Sequence, residues 1–271
     1  MKVNTCYQFL KLNLLLVLLP LLTMSVPPIA NAQVYDYKFD GREDNLKVFP
    51  QMSHVWGQEN LSYLYDKKSD VTFMRVFVPR GAIDPGSMKK RGLPRGGAGF
   101  KTKVFSAGVS HALLSYSVRF PENFNFVRGG KLPGLYGGLG NSGGNLPNGT
   151  DGFSFRLMWG KNGKGSVYAY LPTSTQWGTG LLRHQFGFIP GRWHRLTQEL
   201  ILNDVGLTNG KLRMWIDGKF IGEDINLKVR SVERLLIDGM FFEVFFGGND
   251  DSWAAKDDTY IDFKDVVLRG Y

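Results

Sequence analysis

Short runs in which apolar and polar residues alternate dominate the chain, and glycine, proline or asparagine bounds most of them. This period of two is typical of half-buried β-strands, and few stretches carry the period of 3.6 residues that indicates a helix. The pattern predicts an all-β fold, a β-jelly roll or concanavalin-like sandwich of two antiparallel sheets. The predicted strands are Val71–Val78, Ala112–Arg119, Phe153–Trp159, Ser166–Tyr170, His194–Leu202, Lys211–Ile216, Phe241–Phe246 and Tyr260–Leu268.

Two glycine-rich segments interrupt this rhythm. Residues 81–103 are also basic, and residues 129–150 contain further proline and asparagine. Both are predicted as long loops, and loops of this length in a compact domain tend to be functional or mobile. We expect both segments to flank a groove.

The first 32 residues predict an export signal. Lys2 and Lys11 precede the apolar run Leu12–Leu22, and Ala30-Asn31-Ala32 offers the small residues that signal peptidase needs. The run is shorter than the roughly 20 apolar residues of a spanning helix, which disfavours a membrane anchor. We expect a signal peptide over 1–32, one mature domain over 33–271, and a secreted or, in a bacterium, periplasmic protein.

The mature chain has no cysteine, because Cys6 leaves with the signal. This excludes disulfides, a thiol nucleophile and cysteine metal sites, so stability must come from a hydrophobic core. Without Lys2 and Lys11, 31 Lys and Arg remain against 24 Asp and Glu, a net charge of +7. A basic exported protein suits an anionic partner, and an acidic polysaccharide fits export better than nucleic acid does. Positive charge that serves solubility alone is the alternative.

Motifs for several other chemistries are missing or out of context. Residues 138–143 fit G-x-G-x-x-G, but no helix is predicted after them to bind a phosphate. Ser154 lacks the second glycine of a G-x-S-x-G elbow. No E-x-D-x-x-E strand supplies the paired carboxylates of many concanavalin-like glycosidases, and no histidine pair has zinc-helix spacing, so no metal or cofactor is predicted. The scattered carboxylates are interpreted as solvated or hydrogen-bonded surface groups: Glu199, Glu223, Asp224 and Glu243.

One face of a predicted hairpin, DGFSFRLMWGKNGKGSVYAYLP, carries polar residues in strand phase. Its phenylalanines would face the core, which places Ser154 and Arg156 on the open face. A five-residue turn, Lys161–Gly165, would then set Arg156 opposite Tyr170, with Tyr168 on the same face. An ordinary Arg–Tyr pair on a solvated sheet is the alternative interpretation.

A lysine lies in the second glycine-rich segment. The stretch GGKLPGLYGG holds Lys131 in a loop stiffened by Pro133, where small residues let a ligand approach the backbone. Its ammonium group is suited to a substrate anion, although a lysine exposed in a turn is the simpler alternative. Arg75 and His111, on two predicted strands, are further candidates for substrate contact.

These residues together resemble polysaccharide lyase family 14, the alginate and glucuronan lyases. The resemblance rests on GGKLPGLYGG, DGFSFRLMW and SVYAYLP, followed by GRWHRLTQELILN and FFGGNDDSW, and it covers most of the mature chain. It implies a β-jelly roll with a substrate groove across its concave sheet. The family's functional side chains fall on Lys131, Ser154, Arg156, Tyr168 and Tyr170.

The resemblance implies β-elimination at a 4-linked uronic acid. Arg156 is suited to bind the sugar carboxylate. A base must take the C5 proton and an acid must protonate the leaving O4, and the sequence leaves these roles open among Lys131, Tyr168 and Tyr170. Nearby cations are expected to lower the tyrosine pKa, and Ser154 to orient a neighbour or bind the sugar. The implied partner is an anionic polyuronate, bound by a monomer without cofactor, nucleic acid or membrane.

Two other classes of function stay open at this stage. A non-catalytic β-sandwich module that binds acidic carbohydrate would need the same basic face. A laminarinase-like hydrolase would share the fold, but the missing carboxylate motif disfavours it.

Overall fold

The computed structural model describes residues 32–39 and 45–271, so the predicted signal peptide, apart from Ala32, lies outside the described residues. These residues form β-strands joined by turns, with one short α-helix, α1 (Pro85–Lys90). The strands are β1 (Gln33–Tyr37), β2 (Met52–Trp56), β3 (Leu61–Asp66), β4 (Val71–Val78), β5 (Ala98–Lys103), β6 (His111–Arg119), β7 (Gly129–Gly138), β8 (Gly152–Gly160), β9 (Gly165–Tyr170), β10 (Thr179–Leu181), β11 (Trp193–Ile201), β12 (Gly210–Ile216), β13 (Lys219–Leu227), β14 (Gly239–Phe246) and β15 (Thr259–Gly270).

The strands form two antiparallel sheets. The first sheet has the order β13-β12-β11-β6-β15-β4-β3, and β1 also pairs with β15. The second sheet has the order β10-β9-β8-β7-β14-β5-β2. Consecutive strands are often not neighbours, because the chain crosses between the sheets, as in a jelly roll. The predicted all-β sandwich is therefore confirmed.

The core lies between the two sheets and follows from the period of two. On β8 the side chains of Phe153, Phe155 and Leu157 are fully buried in one cluster with Leu114 and Val118 of β6. Polar groups inside this layer are paired, as buried polar groups must be. Gln198 donates to the Phe155 carbonyl and accepts from the Leu135 amide, both at 2.9 Å, which links the sheets.

All eight predicted strands are present, with ends that differ by at most two residues. The two predicted loops are only partly loops. Residues 81–103 contain α1 and β5, and residues 129–150 begin with the ten-residue strand β7. Among the described residues, no helix is long and apolar enough to cross a membrane.

The strand β7 tolerates a proline because the chain bulges there. Leu132 pairs with Leu157 and Gly134 with Arg156, so Pro133 has no partner on β8. A bulge is one of the few places where a strand accepts proline. The Pro133 carbonyl accepts a hydrogen bond from Tyr116 at 3.0 Å. A Cβ atom on Gly134 would lie 1.9 Å from the Phe155 carbonyl oxygen, so only glycine fits beside the bulge.

Candidate active site

The outer face of the second sheet brings together five of the predicted site residues. Since the odd-numbered residues of β8 face the core, the even-numbered ones face outward. The register pairs Lys131 with Met158 across β7 and β8, Arg156 with Tyr168 across β8 and β9, and Ser154 with Tyr170. We call Lys131, Ser154, Arg156, Tyr168 and Tyr170 the outer-face cluster.

The predicted register of the hairpin was wrong by two residues. Arg156 lies opposite Tyr168 instead of Tyr170. The reason is a tighter turn, in which the Gly160 amide donates to the Lys164 carbonyl at 2.7 Å. A shift of two residues keeps every side chain on its face, so the predicted composition of the polar face is unaffected.

Four of the five cluster residues are buried and Tyr168 is part-exposed, whereas the sequence predicted an open face. Lys131 is 8% exposed and Arg156 3% exposed. The segment that follows β7 covers part of this face: Ser154 donates to the Asn141 carbonyl at 2.6 Å, and the Gly144 amide donates to the Tyr170 hydroxyl at 2.9 Å. This burial excludes water and strengthens every electrostatic interaction within the cluster.

The side-chain nitrogen of Lys131 lies between the ring of Tyr168 and the thioether of Met158. This Nζ atom lies 4.1 Å from the centre of the Tyr168 ring and 3.1 Å from Met158 Sδ. Burial, and then the positive charge of Arg156, lower the pKa of Lys131 to about 7, although Glu243 and Asp84 oppose that shift. At neutral pH the amine is therefore divided between its charged and neutral forms.

The two tyrosines pack edge to face, with ring centres 5.7 Å apart. Burial, and then the neighbouring Tyr170, raise the pKa of Tyr168 to about 12. The expectation that nearby cations would lower it was therefore wrong, because the effect of Arg156 is smaller than that of burial. A tyrosine with a raised pKa keeps its proton at neutral pH and suits an acid better than a base.

Glu243 is a residue of this face that the sequence analysis misplaced. It is 9% exposed on β14 and forms an ion pair with Arg156 Nη1, so it is not a solvated surface group. The Nε atom of Arg156 is buried without a hydrogen-bond partner. One donor of the guanidinium group is thus held by Glu243, while a second donor, Nε, has no partner among the described residues. The sequence did contain a signal for the buried position of Glu243: it is the single carboxylate in the otherwise apolar strand β14.

Lys101, on β5, is a second residue that the sequence analysis missed. It is 7% exposed and donates to the Leu139 carbonyl. Burial lowers the pKa of its ammonium group, and Arg156 adds to that effect while Glu243 opposes it. The sequence hid Lys101 inside a segment interpreted as a loop.

Arg75 and His111 do not lie with the cluster, since β4 and β6 belong to the first sheet. Arg75 donates to the fully buried Asp262 at 2.7 and 3.1 Å. His111 lies 2.8 Å from Glu199 and stacks on Tyr271 at 4.6 Å. Both side chains have partners within the protein, and the structure does not bring them to the outer-face cluster.

The chemistry of the cluster is that of cations and phenols. Glu243 is ion-paired with Arg156, so it is not one of a pair of free carboxylates of the kind that glycoside hydrolysis requires. Within the described part of the chain, no group of three or more His, Cys, Asp and Glu is placed to hold a metal ion. The arrangement can bind an anion, take a proton at an amine and give one from a phenol.

The chain is similar to known proteins of one family. The family model for polysaccharide lyase 14 matches residues 66–266. The chain is similar to the marine PL-14 alginate lyase from Aplysia kurodai at 31% identity and a TM-score of 0.76, over 86% of this chain and 97% of that one. A search of curated proteins found no match.

Two further solved structures share the fold. The alginate lyase vAL-1 from Chlorella virus is 18% identical with a TM-score of 0.68, over 81% of this chain and 92% of that one. The endo-β-1,4-glucuronan lyase from the fungus Trichoderma reesei is 12% identical with a TM-score of 0.55, over 88% of this chain and 95% of that one. At these identities the likeness supports the fold alone.

Proposed function

The chain belongs to the polysaccharide lyase 14 family, and from that premise we propose that it cleaves 4-linked polyuronates, alginate or glucuronan, by β-elimination at the outer-face cluster. The observation that carries the proposal is the burial of Lys131 and Arg156 beside a tyrosine pair on one sheet face. With Lys101 added, three basic groups lie on a face where Glu243 is already paired with Arg156, so the face favours an anion.

We propose that Arg156 binds the carboxylate of the reacting sugar. The C5 proton of a uronate is weakly acidic while the neighbouring carboxylate carries its full charge. Once the substrate displaces the groups that cover it, the unpartnered Nε donor of Arg156 can hold one oxygen of that carboxylate, and Glu243 fixes the orientation of the guanidinium group. Charge that develops on the carboxylate during proton removal is then stabilised by a preorganised donor.

The pKa shifts support assigning the base to Lys131 and the acid to the tyrosine pair. Lys131, with a pKa of about 7, supplies a neutral amine that takes the C5 proton. The electron pair of the C5–H bond forms the C4=C5 double bond, and the C4–O4 bond breaks. The leaving O4 takes a proton from the tyrosine pair, in which the pKa of Tyr168 is about 12. The resulting ammonium lies beside the Tyr168 ring, so the proton can return to the phenolate.

The substrate proposal is tested with purified protein and separate samples of alginate, glucuronan and a neutral β-glucan. We expect an ultraviolet absorbance from the new C4=C5 bond on at least one polyuronate and none on the neutral glucan. Reducing ends without that absorbance would instead indicate a hydrolase. Binding without any product would indicate a carbohydrate-binding module, and either outcome would reject the lyase proposal.

Replacing Tyr168 or Tyr170 with phenylalanine, one at a time, identifies which of the two tyrosines is the acid. We expect the variant that lacks the acid to lose about 10²–10⁴-fold in kcat, which is the usual contribution of a positioned proton donor. The other variant should lose less, because the rings of Tyr168 and Tyr170 pack against each other in either case. Tyr168→Phe should keep the wild-type Tm, whereas Tyr170→Phe should lower it, because the Gly144 amide loses its acceptor. If both retain full kcat, the acid lies elsewhere.

Export also remains a proposal. A polyuronate polymer does not cross a cell membrane unaided, so we propose that the enzyme meets its substrate outside the cytoplasm. The apolar run Leu12–Leu22 and the small residues at 30–32 support secretion of a mature protein from residue 33 onward, and we propose that this protein acts as a monomer. N-terminal sequencing of protein recovered from the culture medium or periplasm tests this.

A further inference from the structure

A straight row of positions crosses the second sheet from the tyrosines to Lys101. Successive strands pair Tyr168 with Arg156, Arg156 with Gly134, Gly134 with Phe241 and Phe241 with Lys101. All five positions therefore share the outer face. Three strand spacings of about 4.8 Å separate the Arg156 and Lys101 backbones, or roughly 14 Å.

Lys101 is a buried cation without a counterion. Among the described residues it has no carboxylate within ion-pair distance, and its one hydrogen bond goes to the Leu139 carbonyl. Lys103, two residues along the same strand, shows the ordinary arrangement: it is part-exposed and lies 3.1 Å from Asp238. Burying an unpaired charge is costly. A buried lysine without a counterion, such as Lys101, is therefore expected at a site where a bound anion supplies the missing counterion.

A cavity opens beside Lys101. Its volume is about 390 Å³, within the usual range for a small-molecule site. The side chains of Ser53, His54, Tyr136 and Asn145 line it together with Lys101. Hydroxyl, imidazole and amide groups around one ammonium group suit a sugar that carries hydroxyls and a carboxylate.

Phe241 sets the distance between the two cationic positions. Its ring centre lies 5.1 Å from the Arg156 guanidinium carbon and 4.7 Å from Lys101 Nζ. The ring thus lies between the two like charges, keeps them apart and contacts both through cation–π interactions. The arrangement matches a ligand with repeated negative charges better than one with a single anion.

We propose that Lys101 and its cavity form a second sugar-acid subsite, which binds the carboxylate of another uronate in the same polymer while Arg156 binds the reacting one. The polymer then lies across the strands, along the row from Tyr168 to Lys101. This inference rests on the proposed function for the identity of the ligand. Lys101 has no part in the proton transfers.

The test compares Lys101→Met with the matched control Lys103→Met, which removes the same charge from the same strand. For Lys101→Met we expect KM for the polymer to rise about tenfold or more, because a charged hydrogen bond is lost, with kcat within about twofold of wild type. The shortest oligouronate that the wild type cleaves should show no change, since it does not reach the subsite. Lys103→Met should match the wild type in both constants.

Thermal unfolding distinguishes a binding role from a structural one. Because the buried charge is unpaired, Lys101→Met should have a Tm equal to or above that of the wild type. An unchanged KM for the polymer, or an equal rise in KM for short and long substrates, would overturn the subsite. If Lys101→Met does not fold, Lys101→Gln replaces it, because an amide can still donate to the Leu139 carbonyl.

Direct binding separates failure of this inference from failure of the proposed function. Calorimetry with a long oligouronate measures the affinity of the wild type, Lys101→Met and Lys103→Met; where the wild type cleaves the oligomer, the three are compared in the Lys131→Met background, which lacks the proposed base. If the wild type forms no product but binds the oligomer, and only Lys101→Met weakens that binding, the subsite stands and the lyase proposal falls. If cleavage occurs and Lys101→Met binds like the wild type, the subsite falls alone.

Discussion

Replacing Lys131 with methionine should reduce kcat on polyuronates by about 10³-fold or more, because the variant has no base for the C5 proton. Methionine has a similar length and keeps the packing against Met158 and Tyr168, so the loss should not come from unfolding. The comparison of kcat between wild type and Lys131→Met at neutral pH measures this effect.

The same variant should be more stable than the wild type, and the difference should depend on pH. Below about pH 7, Lys131 is protonated in both the folded and the unfolded states, and the folded state bears the cost of the buried charge. Between about 7 and the unfolded value near 10.4, only the unfolded state binds the proton, so wild-type stability rises with pH over that range. The advantage of methionine, on the order of a few kcal/mol, should thus be largest below pH 7 and vanish as pH approaches 10.

Chemical denaturation of both proteins at about pH 6 and pH 9 checks the sign of this dependence. Lys103→Met serves as the control, because Lys103 is part-exposed and paired with Asp238 and should show no such gain. The wild-type kcat/KM should rise with pH through about 7, as the free amine forms. A Lys131→Met protein that is less stable than the wild type at about pH 6 would contradict the buried-charge argument.

The face of the sheet to which each side chain points is the structural feature that the sequence specifies most directly. The alternation in β8 decides which side chains enter the core, and therefore which ones share the outer face with Arg156. A face assignment survives even a wrong register, as long as the error is two residues. The hairpin turn was predicted two residues too long. Because an error of two residues preserves the face, Tyr168 and Tyr170 were still assigned correctly to the face of Arg156.

Other features depend on strands that are distant in the sequence. Arg156 and Glu243 are 87 positions apart and meet because β7 lies between β8 and β14 in the sheet. No local pattern gives that order of strands. The same limit applies to Lys101, which reaches this face only through the pairing of β5 with β14.

The role of Pro133 and the pKa of Tyr168 were misjudged for related physical reasons. A proline in a glycine-rich stretch is typical of a loop, and only the bulge opposite Arg156 allows it inside β7. The pKa of Tyr168 depends on how deeply it is buried. Burial depends on segments from other parts of the chain that cover the sheet, so local sequence could suggest the cations but not the desolvation that outweighs them.

Stability and function are opposed at this face. Lys101 and Lys131 are buried without close carboxylate partners among the described residues, and each lowers the stability of the unliganded fold. The large aromatic core between the sheets offsets that cost. Charges that destabilise the free protein are then available to stabilise a bound polyanion, which is a known reason for destabilised functional sites.

Removing Glu243 alone should be strongly destabilising, whereas removing Glu243 and Arg156 together should not. Glu243→Leu leaves the guanidinium group of Arg156 buried without a counterion and close to two lysines, and breaking a buried pair in this way typically costs about 3–5 kcal/mol. In the double variant Arg156→Met/Glu243→Leu no charge remains to be compensated. We expect most of the stability to return, so the two changes should be far from additive.

Urea denaturation of the two single variants and the double variant measures the coupling energy. Glu223→Leu provides the matched control, since Glu223 accepts from Arg213 at 2.9 Å in an exposed Glu–Arg pair on the other sheet and should change stability little. Neither Glu243→Leu nor the double variant should cleave polyuronates at a measurable rate, because Arg156 is displaced in one and absent in the other. Additive losses in the double variant would mean that Glu243 contributes through packing and not through its charge, and that Arg156 is oriented by some other group.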